Sequence, residues 1–293
     1  MKDEEHILEV NNISKKLKGF ELQQVSFSLK RGYIMGFIGP NGAGKSTTIR
    51  CMMGLAHIDS GQIKLFNTDS HTNMKALKQR IGFVYDQNVF FEDLTVEKNR
   101  QIISMFYDEW DDKIFYDYIH KFGVPLSTPV KSLSKGTAMK FALAVALSHN
   151  AELIIMDEPT SGLDPIFRKE LLDVLQEVIQ DANKAIFFST HNISDLEHVA
   201  DYITFIYDGK IQFCKETESI LDHYVTVKGP KSLMELVEAH RPLAIKSSSL
   251  GFEAFMEKEQ LALLNTSPDF KIERPALEDI MYYLVKSKND KGA

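Results

Sequence analysis

The chain has 293 residues, of which 44% are hydrophobic and 26% are charged, and its formal net charge is −7. This composition is that of a globular protein whose core is large enough to fold without disulfide bonds, as one large domain or two smaller ones. The negative charge argues against a general polyanion-binding protein, so we expect no nucleic-acid partner.

Two further sequence features exclude function classes. The longest apolar stretches have about nine residues, far short of the ~20 that a membrane helix needs, so we expect no membrane span. The N-terminal "MKDEEHILEV" is charged and has no apolar core, so we expect no secretory signal. The two cysteines, Cys51 and Cys214, fit no metal-binding spacing and indicate a reducing compartment.

Strands and helices alternate along the first two thirds of the chain. Residues 7–38 predict short strands, the last of them the buried "YIMGFIG", and "KSTTIRCMMGLA" has helical spacing. "SGQIKLFN" and "RIGFVYD" predict two more strands, and residues 95–122 predict helix. "ELIIMDE" and "KAIFFSTH" predict buried strands around a helix at 166–181, and "YITFIYDGKIQFC" predicts a hairpin. Buried strands between helices predict an α/β fold with a parallel sheet covered on both faces.

The density of motifs falls near residue 216. We therefore predict a first domain at 1–216, with a helical subdomain at about 87–150, and an accessory region at 217–293. The accessory region has weaker patterning. It predicts a strand at Tyr224–Val227, a helix at Leu233–Ala239 and a final helix that begins at Pro275.

The stretch "GPNGAGKST" follows a buried strand and opens a helix. It matches the pattern G-x4-G-K-[ST], in the strand-to-helix context that a nucleotide-binding phosphate loop requires. Glycines let successive backbone N–H groups point at an anion, and the helix N-terminus adds positive charge. Lys45 can reach the β- and γ-phosphates of ATP, and the Ser46 hydroxyl can bind Mg²⁺. The predicted nucleotide-binding residues of this loop are Gly39, Pro40, Asn41, Gly42, Ala43, Gly44, Lys45, Ser46 and Thr47.

Acidic residues and a histidine follow two of the predicted strands. Asp157 and Glu158 end "LIIMDE", and His191 ends "AIFFSTH". Ligands of open α/β sheets bind at the carboxyl ends of strands. We expect Asp157 to hold Mg²⁺, Glu158 to orient and deprotonate the attacking water as a general base, and His191 to contact the γ-phosphate or align the water.

A second anion site is predicted in "KSLSKGTAMKFALAVALSHN". Ser134 is placed to cap a helix that runs to about residue 148, and its hydroxyl, the Gly136 backbone and the exposed N–H groups can bind an anion. One ATP molecule does not need two phosphate loops far apart in sequence. We therefore interpret the second site as one that faces outward and completes the nucleotide site of another subunit.

The motifs "GPNGAGKST", "LSKGT", "IIMDEPTSGLDP" and "STH" resemble, in order and spacing, those of the ATP-binding cassette ATPases, over residues 7–215. The resemblance implies the P-loop ATPase fold of that family, with an antiparallel β subdomain and a helical subdomain. It also implies a head-to-tail dimer that holds two ATP molecules. Ser134, Lys135 and Gly136 would then contact the ATP of the partner, and "SGLD", with Asp164, would be the loop that crosses the interface.

The sequence departs from the family pattern at three places. Asp86 stands where the family has a glutamine near Mg²⁺, and Gln87 follows; either side chain can reach the metal or the water, and we favour Asp86. The adenine-stacking aromatic is replaced by Leu17, with Phe20 close by, so we expect loose base recognition. The signature reads K-G-T, and Lys135 adds charge near the phosphates of the partner.

Within the family, the chain is similar to the ATPases of ABC-2-type exporters of antimicrobial peptides, bacitracin-like drugs or lipids, and in overall appearance to the ATPase of a phenol-soluble modulin exporter. This resemblance implies ATP and Mg²⁺ as cofactors, an ABC-2-type permease as partner, and a position on the cytoplasmic face of the membrane. The second cassette would be an identical chain or a paralogue. Phe90 and Phe91, adjacent and exposed, are expected to dock the permease unless they pack in the core.

Three alternatives stay open or are weakened by the sequence. An importer ATPase with a regulatory C-terminal domain remains possible. A soluble ABC protein that acts on the ribosome resembles two cassettes joined by a charged linker, whereas this chain has one cassette. A DNA-repair ATPase resembles a cassette split by a long coiled coil, and the segment between Gln87 and Lys131 is too short for that.

Overall fold

A computed structural model describes residues 6–87, 89–261 and 268–291, with side chains up to Lys286 in the last of these ranges. The chain forms two compact units; the first ends at Cys214 and the second begins at Lys215. Within the described ranges, every helix is too short or too polar to cross a membrane.

The first unit is built from ten strands and seven helices over the ranges that the structure describes. The strands are β1 His6–Leu17, β2 Phe20–Lys30, β3 Ile34–Ile38, β4 Ser60–Leu65, β5 Thr68–Asp69, β6 Ile81–Val84, β7 Leu153–Asp157, β8 Ala185–Thr190, β9 Tyr202–Tyr207 and β10 Lys210–Glu216, whose last residues pass into the second unit. The helices are α1 Lys45–Met52, α2 Met74–Lys78, α3 Val96–Ser104, α4 Asp112–Phe122, α5 Lys135–Leu147, α6 Pro165–Val178 and α7 Ile193–Leu196.

Six of these strands form the central sheet, in the order β10-β9-β3-β8-β7-β6. Strands β9, β3, β8, β7 and β6 run parallel to one another. All residues of β3, β7 and β8 are buried, as their continuous apolar sequences predict. The carboxyl ends of these three strands therefore meet at one edge of the sheet.

A second sheet, in the order β2-β1-β4-β5, is antiparallel and covers one face of the central sheet. The ring of Phe27 on β2 lies 5.4 Å from that of Phe37 on β3 and 5.6 Å from that of Phe187 on β8, measured between centroids. The cover on this face is thus the antiparallel β subdomain that the family resemblance implied.

The helical segment departs from its prediction in one respect. Residues 95–122 form two helices, α3 and α4, separated at residues 105–111. Each helix has its own N-cap: the Thr95 side chain accepts a hydrogen bond from the Lys98 N–H, and the Asp111 side chain accepts one from the Ile114 N–H. An N-cap side chain accepts from backbone N–H groups that lack a partner only in the first turn of a helix. Two such caps therefore indicate two helix starts and not one continuous helix.

The second unit is a four-stranded antiparallel sheet with flanking helices. Its elements are α8 Thr217–His223, β11 Tyr224–Gly229, α9 Met234–Glu238, β12 Ala244–Ser247, β13 Phe252–Glu257, α10 Lys258–Leu261, β14 Lys271–Glu273 and α11 Leu277–Lys291. The strand order is β12-β13-β11-β14, with every neighbouring pair antiparallel. A strand–helix–strand–strand–helix–strand chain in this order is the split βαβ arrangement. The sequence predicted β11, α9 and the last helix, and missed the other strands.

Three charged side chains gather at the amino ends of the central strands. Glu152, which precedes β7, contacts Arg80 Nη2 at 2.9 Å and Arg31 Nη1 at 2.7 Å. Burial raises the pKa of Glu152, but the hydrogen bonds from Arg80 and Arg31 outweigh it, so the pKa lies below the ordinary glutamate value.

This lowered pKa predicts an acid-labile contribution to stability. Because the folded pKa of Glu152 is depressed, its contribution is present above the unfolded value of about 4.3 and is lost as the pH falls toward the folded pKa. We expect Glu152→Gln to cost about 1–3 kcal/mol at pH 7 and to cost less near pH 3. Thermal melts at both pH values measure this. Asp117→Asn, which removes an exposed pair with Lys113, is the control with little effect at either pH. An equal cost of Glu152→Gln at both pH values would contradict the ion-pair explanation.

Candidate functional site

The predicted phosphate loop connects β3 to α1. Two of its glycines are required by their surroundings. Gly44 has φ +111°, a backbone conformation that side chains rarely adopt. A Cβ at Gly39 would lie 2.3 Å from the Ile206 carbonyl oxygen on β9. Larger residues at these two positions would displace the loop from the edge of the sheet.

Lys45 is the first residue of α1, and its side chain is buried. Its Nζ donates a hydrogen bond to the Gly39 carbonyl at 2.7 Å and lies 3.2 Å from Glu158 Oε1. A buried ammonium must be paired, because its desolvation is otherwise costly. In this structure the Gly39 carbonyl and Glu158 supply that pairing.

Glu158, directly after β7, has φ +51°, a left-handed conformation that is strained for a residue with a side chain. Its N–H holds it there by donating to the carbonyl and to the hydroxyl of Ser189, each at 3.1 Å. Its other carboxylate oxygen, Oε2, lies 2.6 Å from His191 Nδ1 and accepts the His191 N–H at 3.2 Å. The strained turn thus aims Glu158 between Lys45 and His191.

Asp157, the last residue of β7, is fully buried. Its Oδ1 accepts a hydrogen bond from the Ser189 hydroxyl at 2.6 Å, while Oδ2 accepts none from any residue that the structure describes. Burial raises the pKa of Asp157 above its ordinary value, although the hydroxyls of Ser189 and Ser46 act against this; the charges of Asp86 and Glu158 raise it further. The site therefore favours an added positive charge.

These residues fit Mg²⁺. A buried carboxylate oxygen without a partner, a serine hydroxyl and a nearby second carboxylate are all hard oxygen donors, which this ion prefers. Mg²⁺ is commonly held by one or two carboxylates together with substrate phosphates. Asp157 and Ser46 would hold it, and Asp86 lies near enough for its charge to act on Asp157.

A cavity of about 740 Å³ brings most of the predicted site together. It is lined by Leu17, Lys18, Gly19, Phe20, Asn41, Gly42, Gly44, Lys45, Ser46, Thr47, Asp86, Lys135, Glu158, Ser161 and His191. The same cavity is thus lined by residues from the phosphate loop, the β1–β2 hairpin, the strand ends and the signature. The sequence analysis did not single out Lys18, which follows the predicted Leu17, whereas Ser161 is the first residue of the predicted "SGLD" loop.

The remaining predicted residues lie outside the cavity lining. Gly39 and Pro40 contribute carbonyl oxygens to Lys45, and Ala43 is buried. Asp164 caps α6: its Oδ1 accepts the N–H groups of Ile166 and Phe167, each at 3.0 Å. The hydrogen bonds from Phe167 and Ile166 lower the pKa of Asp164.

The signature segment begins α5 as predicted. Ser134 is exposed, and its side chain accepts the Thr137 N–H at 3.1 Å. A Cβ at Gly162 would lie 3.2 Å from Lys135 Nζ, and one at Gly136 would lie 3.8 Å from Leu163. The start of α5 therefore lies against the "SGLD" segment of the same chain.

The prediction that Phe90 and Phe91 are both exposed is wrong for Phe90. The Phe90 ring packs 4.3 Å, between centroids, from that of Phe141, which is fully buried. Phe91 is 57% exposed. The buried Asn99 fixes the Phe91 backbone: its Oδ1 accepts the Phe91 N–H at 2.9 Å, and its Nδ2 donates to the Phe91 carbonyl at 3.0 Å. The two neighbours differ because the hydrogen bonds of Asn99 fix the Phe91 backbone, and in this conformation only the Phe90 ring points inward.

Comparison with known proteins decides the family. The profile described as ABC transporter matches residues 22–161. The lantibiotic transport ATP-binding protein SrtF of Streptococcus pyogenes is 32% identical over 213 residues, 72% of this chain and 91% of SrtF. The chain belongs to the ATP-binding proteins of ABC transporters.

Two other relatives agree with this assignment. The bacitracin transport ATP-binding protein BcrA of Bacillus licheniformis is 34% identical over 192 residues, 65% of this chain and 63% of BcrA, so the chain spans less than two thirds of that protein. A solved ATP-binding subunit of an ABC transporter superposes with a TM-score of 0.67 at 26% identity, over 73% of this chain and 91% of that subunit. The predicted family, the ABC ATPase fold and the ATPase function are confirmed.

Proposed function

We propose that this ABC ATPase powers a membrane exporter whose cargo is a peptide. The observation that carries the hydrolytic part of the proposal is the convergence of Lys45, Glu158 and His191 in one cavity, at the strand ends beside the buried Asp157. Relatives named for bacitracin transport and lantibiotic transport support a peptide cargo. A phenol-soluble modulin as the particular cargo stays a prediction.

The geometry of the cavity supports a role in hydrolysis for each of these residues. Lys45 leaves Glu158 when phosphates enter, because both anions compete for one buried ammonium. Glu158, still held by the Ser189 hydrogen bonds to its N–H, then accepts the proton of the attacking water. His191, 2.6 Å from Glu158, positions that carboxylate. Asp157 and Ser46 would hold Mg²⁺ together with the nucleotide, and the ion would supply positive charge against the phosphates.

The signature supports a head-to-tail dimer. Ser134 is exposed and does not line the cavity of its own chain. The helix that it caps, α5, has 13 residues and presents its first-turn N–H groups beside it. A second cassette, identical or paralogous, would place its nucleotide against this surface, with Gly136 and Asp164 at the interface and Lys135, which lines the cavity of its own chain, beside them.

Phe91 is the proposed anchor for an ABC-2-type permease at the cytoplasmic face of the membrane. Its ring is exposed while its backbone is fixed by Asn99 at both the N–H and the carbonyl. A rigidly held, exposed aromatic side chain loses little conformational freedom on binding and is the kind of residue that dominates interface energies. Asp86 precedes Phe91 by five residues and lines the nucleotide cavity, so the proposed anchor lies close in sequence to the nucleotide site.

The experiment compares Phe91→Ala with Phe90→Ala in the complex with the permease, reconstituted in vesicles. Phe91→Ala should keep the melting temperature and the ATPase activity of the isolated chain, but weaken permease capture by about 2 kcal/mol and reduce ATP-driven peptide export. Phe90→Ala should lower the melting temperature, because it removes the contact with Phe141. Normal export by the Phe91 variant would exclude the anchor, and ATP-driven uptake in place of export would favour the importer alternative.

A further inference from the structure

Helices α6 and α7 each begin directly after a loop of the candidate site. Asp164, the last residue of the "SGLD" loop, caps α6, and the Arg168 N–H donates to its carbonyl at 3.0 Å. Helix α7 begins two residues after His191, with Asn192 as its N-cap, and the Asp195 N–H donates to the Asn192 carbonyl at 3.4 Å. Arg168 and Asp195 thus lie one turn into helices whose starts belong to the site.

A buried ion pair joins these two helices. Arg168 Nε donates to Asp195 Oδ1, and the Asp195 side chain is 5% exposed. Arg168 Nη2 and Asp195 Oδ2 are also buried, and neither has a hydrogen-bond partner among the residues that the structure describes. Two N–H groups of a guanidinium can donate in parallel to the two oxygens of one carboxylate, as a two-bond fork. In the pair of Arg168 and Asp195 one bond of the fork is present, and the donor and acceptor of the other are unused.

Arg80 and Glu152 show the complete fork in the same chain. Arg80 Nε donates to Glu152 Oε1, and Arg80 Nη2 donates to Oε2 at 2.9 Å. The Arg80 side chain is 43% exposed, so water could replace a missing bond there. A buried donor or acceptor without a partner is more costly, because water does not reach it. The buried pair therefore lacks its second bond where that bond would be most favourable, and a small movement of α6 relative to α7 would form it.

We propose that Arg168 and Asp195 are positioning residues for His191, and that closure of the head-to-tail dimer completes their fork. The second cassette would approach α6 at Asp164, one turn before Arg168. Helix α7 would carry the movement to His191, whose Nδ1 and N–H both contact Glu158 Oε2. The general base would thus reach its working position only in the dimer. The inference rests on the proposed dimer and adds a connection, within one chain, between its interface and the base.

The discriminating variant is Arg168→Lys. Lysine keeps the charge and can make the single hydrogen bond that this structure contains, but it lacks the planar fork. ATP affinity, melting temperature and, in the Glu158→Gln background, ATP-dependent dimerisation should stay close to wild type. Steady-state kcat should fall about tenfold or more, the factor expected for one hydrogen bond to a charged group. Glu177→Gln is the matched control: it removes an exposed contact with Lys121, at 2.8 Å, on the same helix and should leave kcat unchanged.

A second variant separates positioning from stability. Arg168→Met combined with Asp195→Leu removes both charges together, which leaves no buried charge unpaired and commonly preserves stability. This double variant should melt near wild type and still lose turnover as Arg168→Lys does. Wild-type kcat in either variant would overturn the inference, as would a loss of kcat matched by a loss of ATP affinity, dimerisation or melting temperature. Wild-type chains that fail to dimerise with ATP would contradict the proposed dimer itself, and the inference with it.

Discussion

Glu158→Gln should bind nucleotide at least as tightly as wild type and lose roughly 10²–10⁴-fold in steady-state turnover. The amide keeps the shape of the side chain, so the turn after β7 and its hydrogen bonds to Ser189 should persist. It cannot accept a proton from water. In the native chain the Glu158 carboxylate lies 3.2 Å from Lys45 Nζ. The amide of the variant has no negative charge, so it competes less with the phosphates for Lys45.

Phosphate release and titration with a fluorescent nucleotide measure the two effects separately. Glu170→Gln serves as the control, because Glu170 is an exposed carboxylate on α6 that pairs loosely with Lys140 at 3.7 Å. It should retain turnover. If Glu158→Gln keeps turnover within about threefold of wild type, well below a general base's usual contribution, Glu158 is not the base.

Ser134→Arg should bind nucleotide normally and fail to form an ATP-stabilised dimer. The bulky side chain stands on the exposed start of α5, where the proposed partner nucleotide must approach. It also removes the cap that accepts the Thr137 N–H, which costs about 1 kcal/mol. Light scattering with ATP, in the Glu158→Gln background that slows hydrolysis, measures the dimer.

Two controls separate loss of the cap from blockage of the surface. Ser134→Ala loses the cap alone and should dimerise more than Ser134→Arg. Mixing Ser134→Arg with Lys45→Ala chains leaves one composite site that has both its lysine and its serine, so partial dimerisation should return. Dimerisation of Ser134→Arg equal to that of wild type would exclude the sandwich arrangement.

The sequence predicted the site better than its surroundings, because the site residues belong to patterns of neighbouring residues in the chain. The phosphate loop and the pair Asp157–Glu158 each follow a strand whose apolar residues are continuous, and strand ends of a parallel sheet coincide in space. Their proximity therefore followed from local patterns alone. The left-handed backbone of Glu158 did not, because it depends on Ser189, a residue of a different strand.

Phe90 and Phe91 are a case in which the sequence could not predict which of two adjacent, identical residues is exposed. Nothing in "NVFFEDLTVE" distinguishes them, since the distinction is made by Phe141 and Asn99, which come later in the chain. Three of the four strands of the second unit were missed for a related reason. Its strands are short, β14 having only three residues, and their identity depends on pairing partners distant in sequence rather than on a local period.

The contact between Lys45 and Glu158 also bears on which anions can bind in the phosphate loop. An anion that enters the loop must displace an internal carboxylate, not merely fill an empty positive site. In the proposed mechanism a lone phosphate or sulfate would form few compensating contacts, whereas a nucleoside triphosphate could contact lining residues from the phosphate loop to the β1–β2 hairpin. After hydrolysis the same carboxylate competes again for the lysine, which favours departure of the products. In the proposed mechanism, Glu158 would therefore compete with small anions for Lys45 before the reaction and with the products after it.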